Sequence, residues 1–363
     1  MKAAVTIHDV AKAAGVSTAT AARALGGYGH VSQRSRERVQ EAAEDLGYRP
    51  NEVARSMITG RTNSLGLIVA DIENPFFAAI TRAVSDAARA RGYEVLLANS
   101  DENVEAEKRA THLFMDKRVD GLVVAPASST EVDHLRAARA SGVHLVTIDR
   151  RVNGLAVDSV TVHNRVASRS AVDRFIDDGH TRIGYLRGTA AIEATAGQAR
   201  QISTGDERFL GYCEALRDAG LDDTSYVRTG GLGRADAVKE ALTLFDLPDP
   251  PTAILAPDSI LALGVLQAAQ QRNLAIPQAL SIVSFDDTEW AEVVTPPLSV
   301  ISQPVHDMGQ RAVDMLVDRI EGDTRRERHV RLRARLIERE SIGRAPDDRA
   351  QSRTEAGPVR PLD

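Results

Sequence analysis

The sequence predicts an all-α N-terminal headpiece with a helix-turn-helix pattern, followed by an α/β core of two doubly wound parallel-sheet lobes. Three observations lead there. The first sixty residues hold short helical runs closed by glycines; from Leu65 near-continuous apolar runs alternate with helical stretches; and that alternation occurs in two successive series. At 363 residues the chain has length for two or three domains, each able to bury a core.

In the headpiece, Thr6 with Asp9 three residues on forms a capping box ahead of Val10, Ala11 and Ala14, and Gly15 ends that helix. Ser17 is read as the N-cap of a second helix running to about Leu25, stopped by Gly26-Gly27. Ser32 opens a third helix, with Val39, Ala42, Ala43 and Leu46 on one face and Gly47 as its stop. Two short helices joined by a tight turn and backed by a longer one make the helix-turn-helix. Pro50-Asn51 then opens a helical segment from Glu52 to about Ile58, too short to hold a helix alone in water because nucleation is costly.

The first α/β series comprises Leu65–Ala70, Glu94–Ala98, Gly121–Ala125 and His144–Ile148, with helices such as Phe76–Ala90 and Val104–Lys117 between. The second comprises Arg182–Leu186, Tyr226–Thr229, Ala253–Ala256 and Ser281–Phe285. Apolar runs of this kind are expected of strands buried on both faces of a parallel sheet. The expected boundaries are 1–50 for the helix-turn-helix headpiece, 51–62 for a linker and 63–344 for the core. Within the core, lobe one takes about 63–163 and 295–325, and lobe two about 164–294 and 326–344. Residues 345–363 lack apolar periodicity and are expected to be disordered.

Composition bounds the chemistry. Hydrophobic residues are 43% and charged residues 26%, as in ordinary globular proteins. No apolar run reaches a membrane span, and Asp9 interrupts the N-terminus before any secretory signal develops, so a cytoplasmic location is expected. The single cysteine, Cys213, excludes an intrachain disulfide and a multi-cysteine zinc site; it is read as a small buried hydrophobe on a helix spanning about Phe209–Ala219. Net charge is −6, but residues 1–60 carry eight Lys/Arg against six Asp/Glu, a balance of +2 that leaves −8 for the remainder.

In open parallel sheets ligands bind at the carboxyl ends of the strands. The polar residues just past the apolar runs are Asp71 and Asn74, Asn99, Ser128, Asp149 and Arg150, His163 and Asn164, Asp258, Asp286, and Gln303 after Leu298–Ile301. Phe76 and Phe77 follow the first of these ends. Carboxylates, amides and arginine beside aromatic faces suit a small polyhydroxylated ligand. Singly, each polar residue reads equally as a loop former or helix cap, and the phenylalanines as core; the accumulation at one edge carries the reading.

Enzyme signatures are missing. There is no GxxxxGK[ST] loop, no GxSxG elbow and no HExxH, and Gly230-Gly231-Leu232-Gly233 does not complete GxGxxG. No catalytic residue, metal or cofactor is expected.

The chain resembles the LacI/GalR (lactose-repressor) family of transcriptional regulators from about Thr6 to Gly343. The resemblance is carried by Thr6-Ile7-His8-Asp9-Val10-Ala11-Lys12-Ala13-Ala14-Gly15-Val16-Ser17, Leu46-Gly47-Tyr48-Arg49-Pro50-Asn51, Val53-Ala54-Arg55-Ser56-Met57, Asp71-Ile72-Glu73-Asn74-Pro75-Phe76-Phe77 and Arg118-Val119-Asp120-Gly121-Leu122. The core resembles the periplasmic-binding-protein fold that the family shares. The resemblance implies a homodimer, or a tetramer built from it, whose headpieces bind near-palindromic double-stranded operator DNA.

Ser17, Thr18, Ala19, Thr20 and Arg23 would then present the recognition helix, with Arg23 at a guanine-reading position and Ser17 and Thr20 placed for phosphate or capping. Asn51, Ala54, Arg55 and Met57 would belong to a hinge that becomes helical on DNA, with Met57 as minor-groove wedge where leucine is usual. Asn74, Phe76, Phe77, Asp149, Arg150, Arg208, Asp258, Asp286 and Gln303 would bind a small sugar-like effector. Departures from the family are Ala21-Ala22 for Val-Ser, His163 for Asp, Asp258 for asparagine, and a longer 189–202 stretch that could be a flap or an inserted loop. A transport receptor or an α/β enzyme with a fused DNA-binding domain are the rival readings; the headpiece opposes the first and the missing phosphate loop the second.

Overall fold

The computed structural model describes residues 5–48, 60–188, 203–221, 224–231 and 233–346. The hinge candidates Asn51, Ala54, Arg55 and Met57, the 189–202 stretch, and all but the first two residues of the expected tail lie outside these. By internal contacts the chain divides into Met1–Ser64 with Arg118–Asp120, and Leu65–Lys117 with Gly121–Asp363.

In the smaller unit, α1 (Ile7–Ala13), α2 (Thr18–Gly26) and α3 (Gln33–Asp45) follow the caps read from sequence. The Thr6 N–H and hydroxyl both donate to Asp9 Oδ2, at 2.9 and 2.7 Å. Ser17 Oγ accepts the Thr20 N–H at 3.1 Å, and Gly27 ends α2 at φ +70°, a left-handed conformation that glycine adopts without a Cβ penalty. Val10, Ala21 and Val39 are fully buried at the centre of a small core that is otherwise mostly alanine. Each buried valine contributes roughly 1.5–3 kcal/mol, so Val39→Ala removes a large share of what so few side chains supply. Residues 118–120 join this unit because Thr62 donates through its N–H to Asp120 Oδ1 at 2.9 Å and through its hydroxyl to Arg118 O at 3.0 Å.

The larger unit contains two six-stranded sheets. The first is built from β1 (Ser64–Val69), β2 (Glu94–Asn99), β3 (Gly121–Val124), β4 (His144–Ile148), β5 (Asp158–Val162) and β11 (His329–Leu332), in the order β11-β5-β4-β3-β1-β2. The second, from β6 (Ile183–Gly188), β7 (Val227–Gly230), β8 (Ala253–Ala256), β9 (Ser281–Phe285), β10 (Ser299–Ser302) and β12 (Arg335–Ile337), runs β12-β10-β9-β8-β6-β7. The pairs β1–β3, β3–β4, β4–β5 and β5–β11 are parallel, as are β7–β6, β6–β8, β8–β9 and β9–β10; β12 closes the second sheet antiparallel to β10.

This pairing redraws the expected lobe boundaries. β10, expected in lobe one, pairs with β9, because Val300 and Ile301 continue the second sheet's buried layers. β11, expected in lobe two, pairs with β5 and packs Val330 and Leu332 against the first core. The chain therefore crosses between lobes near 163, near 303 and again at Arg333-Ala334. β2 and β7 also depart from burial on both faces: each is an edge strand, and β2 leaves Leu96 and Leu97 exposed.

Leu65, Val69, Ile80, Val146 and Leu316 anchor the first core. The second sheet has a core on each face, one around Leu261, Val265 and Ile282, the other around Phe175, Tyr185, Tyr212 and Phe285. Because the strands run parallel, their carboxyl ends gather at one edge of each sheet, where backbone groups outrun their ladder and loops can carry polar side chains.

Candidate functional site

Those edges line a cavity of about 130 Å³. All nine residues expected to bind an effector, Asn74, Phe76, Phe77, Asp149, Arg150, Arg208, Asp258, Asp286 and Gln303, stand on its wall. Asp71 joins them. Asn99, Ser128, His163 and Asn164, also strand-end residues, do not line it. Asn99 Oδ1 accepts the Ile72 N–H, Ser128 Oγ accepts the N–H groups of Thr130 and Glu131, and Asn164 accepts from Arg208.

The two lobes use the same backbone device. Asp149 follows β4 and Asp286 follows β9, both in the left-handed region at φ +65° and +72°. Each donates its N–H to the next strand, Asp149 to Val160 O at 2.9 Å and Asp286 to Ile301 O at 3.0 Å. Non-glycine residues pay for this conformation, and aspartate tolerates it better than most.

Their side chains are held differently. Arg150, behind Asp149, makes a bidentate pair with Glu102 at 2.6 Å on both nitrogens, donates to Pro126 O at 3.1 Å, and stands 5.6 Å from the Phe77 ring centre. Burial opposes the Arg150 charge, but Glu102 and Asp149 outweigh it and hold its pKa above the ordinary value. Asp286 instead accepts from the neutral amide of Gln303, Nε2 to Oδ1 at 2.6 Å.

Asp258 extends from the end of β8 and caps α10 (Ser259–Gln271), accepting the Leu261 N–H at 2.7 Å. Arg208, on α8 (Ser203–Asp218), donates to Asn164 Oδ1 at 2.7 Å and Pro257 O at 2.5 Å, with its guanidinium 3.9 Å from the Phe285 ring centre. Burial raises all three aspartates: Asp258 and Asp286 to about 6 each, and Asp149 upward from the ordinary carboxylate value. Repulsion from Asp286 adds to the shift of Asp258, and from Asp149 to that of Asp286.

Phe76 and Phe77 resolve as both core and wall. They are buried in the first core, meet edge to face at 5.1 Å, and still border the cavity. Asn74 Oδ1 caps their helix, α4 (Pro75–Ala90), through the Phe76 N–H.

Sequence reasoning missed Glu102, Tyr185, Arg187 and Thr204, which also border the cavity. Arg187 was legible, standing one residue past the apolar end of β6; it pairs with Asp206 at 2.8 Å and stacks 4.8 Å from the Phe209 ring centre. Tyr185, in mid-strand, carries no signal beyond core.

In the headpiece, Ser17, Thr18 and Ala19 are exposed at the amino end of α2, Thr20 is half-buried, and Arg23 is exposed in the helix's last turn. Ser17 and Thr20 bond to each other through their hydroxyls at 2.8 Å, in keeping with capping. Arg23 Nε donates to Ala19 O at 3.2 Å, and Thr18 Oγ1 lies 3.3 Å from His8 Nδ1, a neighbour that sequence reasoning did not name. Ala21, which stands where the family has valine, is fully buried and serves as core.

A helix-turn-helix unit followed by a two-lobed, cleft-bearing α/β core defines a class of ligand-binding DNA regulators. Residues 6–51 match the bacterial regulatory proteins of the lacI family, and residues 172–342 the periplasmic binding protein-like domain. Catabolite control protein A of Priestia megaterium is 34% identical over 321 residues, 88% of this chain and 94% of its own. The HTH-type transcriptional repressor CytR of Escherichia coli K12 is 32% identical over 340 residues, 93% of this chain and 95% of its own. The structure of the transcriptional regulator CelR–cellobiose complex superimposes with a TM-score of 0.68 at 29% identity, covering 93% of this chain and 99% of that one. The chain belongs to the lacI family of DNA-binding transcriptional regulators. No helix among the described residues is long and apolar enough to cross a membrane.

Proposed function

We propose that the chain is a cytoplasmic repressor that binds a near-palindromic operator as a homodimer and is controlled by a compact polyhydroxylated effector in the interlobe cleft. The convergence on one cavity of Asp149 and Asp286, equivalent residues of the two lobes, carries the reading. Polar groups from both lobes meet one ligand only when the lobes stand at a set separation, so ligand binding is coupled to lobe geometry. Aromatic faces at Phe76 and Phe77 with carboxylates around them suit a sugar ring and its hydroxyls. CelR, a structural neighbour, is described with cellobiose, which favours the sugar class.

In the headpiece, the exposed amino end of α2 fits the major groove. Arg23 would read a guanine bidentately, Thr18 and Ala19 would meet neighbouring base edges, and Ser17 and Thr20 would stay near the phosphates while capping. Asn51, Ala54, Arg55 and Met57 would form the hinge helix on the operator, with Met57 wedged into the minor groove. A hinge too short to fold alone is sensitive to its surroundings, so a coupling of about 1–3 kcal/mol suffices to link cleft and operator.

The test is Asp286→Ala in an operator-binding titration by fluorescence anisotropy. The variant should bind operator as tightly as the parent chain yet lose the sugar-dependent shift. A normal shift removes Asp286 from the effector site.

A further inference from the structure

The cleft has more acid than its arginines answer. Among the described residues, each guanidinium at the cavity is already committed. Arg150 is held by Glu102 with Asp149 beside it at 3.4 Å, and Arg187 is held by Asp206. Arg208 faces Asp258 and Asp286 while spending two of its nitrogens on the neutral oxygens of Asn164 and Pro257. Two arginines, Arg150 and Arg208, thus stand against four carboxylates, Glu102, Asp149, Asp258 and Asp286, with the Arg208 charge acting on all three aspartates. Among the described residues, these six side chains carry a formal excess of two negative charges.

The hydrogen-bond inventory points the same way. Among the described residues, two buried acceptors at the wall, Asp149 Oδ1 and Gln303 Oε1, have no partner, against one buried donor without a hydrogen bond, Arg150 Nε, which lies 3.4 Å from Asp149 Oδ2. Gln303 is oriented by its donation to Asp286, which leaves its carbonyl oxygen as an acceptor without a partner among the described residues. A buried acceptor without a donor is costly, so the wall favours a donor-rich ligand. A hydroxyl offers one donor; an ammonium offers three and a positive charge. A phosphate or carboxylate on the ligand would add like charge to this wall and bring only acceptors.

We propose, resting on the polyol reading above, that the cleft selects a compact polyol bearing a protonated amine, an amino sugar in its simplest form, over the neutral or anionic sugar of the same shape. Asp258 is the residue that tips the balance, since an amide there would leave Arg208 matched by Asp286 alone. An ammonium near Asp258 and Asp286 would also favour their ionised forms, which burial disfavours.

Calorimetric titration of the full chain with D-glucose, D-galactose and D-mannose, their 2-amino-2-deoxy forms and their 6-phosphates tests this. An amino sugar should bind at least tenfold more tightly than its parent, with the phosphate of that series the weakest. In Asp258→Asn, which keeps a good helix cap, the amino-to-neutral ratio should fall by about tenfold. A neutral sugar or a phosphate that equals or beats its amine overturns the charge selection and leaves the polyol site standing. An unchanged ratio in Asp258→Asn overturns the assignment to Asp258. If none of the nine compounds binds, the polyol reading fails and this proposal with it.

Discussion

The headpiece and the cleft place the side chains proposed to bind DNA and effector in opposite environments. Ser17, Thr18, Ala19 and Arg23 are exposed and bonded chiefly within α2 or to the neighbouring His8, whereas Asp149, Arg150, Arg208, Asp286 and Gln303 are buried and interlocked. A groove-reading surface must present loose donors to a large polyanion and gains affinity by displacing its counterions. A small-molecule site gains its selectivity from burial, where every unmatched charge or acceptor is felt.

Salt separates the two most strongly. A repressor dimer making about 6–10 phosphate contacts loses roughly 10³–10⁵ in operator affinity between 50 and 200 mM salt. Cleft affinity, measured by calorimetry over the same range, should change by less than about threefold because buried charges are poorly screened. Equal slopes would erase the distinction.

The next largest effect is on stability against pH. Asp258 titrates near 6 in the folded chain and lower when unfolded, so the folded state holds the extra proton between those values. Its contribution is therefore most favourable below the unfolded value and is lost as pH rises through about 6. Asp258→Asn should be more stable than the parent by about 2–3 kcal/mol at pH 7.5, narrowing to about 1 kcal/mol at pH 4.5. Urea unfolding at the two pH values reads the difference, and a gap that does not narrow contradicts the burial of this charge. Smaller or comparable is Arg23→Ala, which should cost roughly 1–3 kcal/mol at the operator and relax preference at one base per half-site. Anisotropy with single-base operator variants measures it; intact preference would deny Arg23 a base contact.

Much of the fold could be read from local pattern. β4, β8 and β9 end where their apolar runs end, and the caps at Thr6, Ser17 and Ser32 each accept or donate as their residue types dictate. What escaped was non-local. β5 carries Asp158, an acid buried only because Arg319 and Arg328, far along the chain, close on it at 2.8 and 3.2 Å. β11 and β12 are short and half-exposed, so no apolar run marks them. At the cleft, residues one step past a strand were accessible to sequence reasoning, while the pairing of Glu102 with Arg150, 48 residues away, was not.

Coupling between cleft and headpiece is what the proposed regulation requires. Its most direct measurement pairs two titrations: operator affinity with and without the tightest-binding sugar, and affinity for that sugar with and without operator. The same factor, about 5–150-fold, should appear in both. A factor of one in each, with both ligands bound, would contradict it.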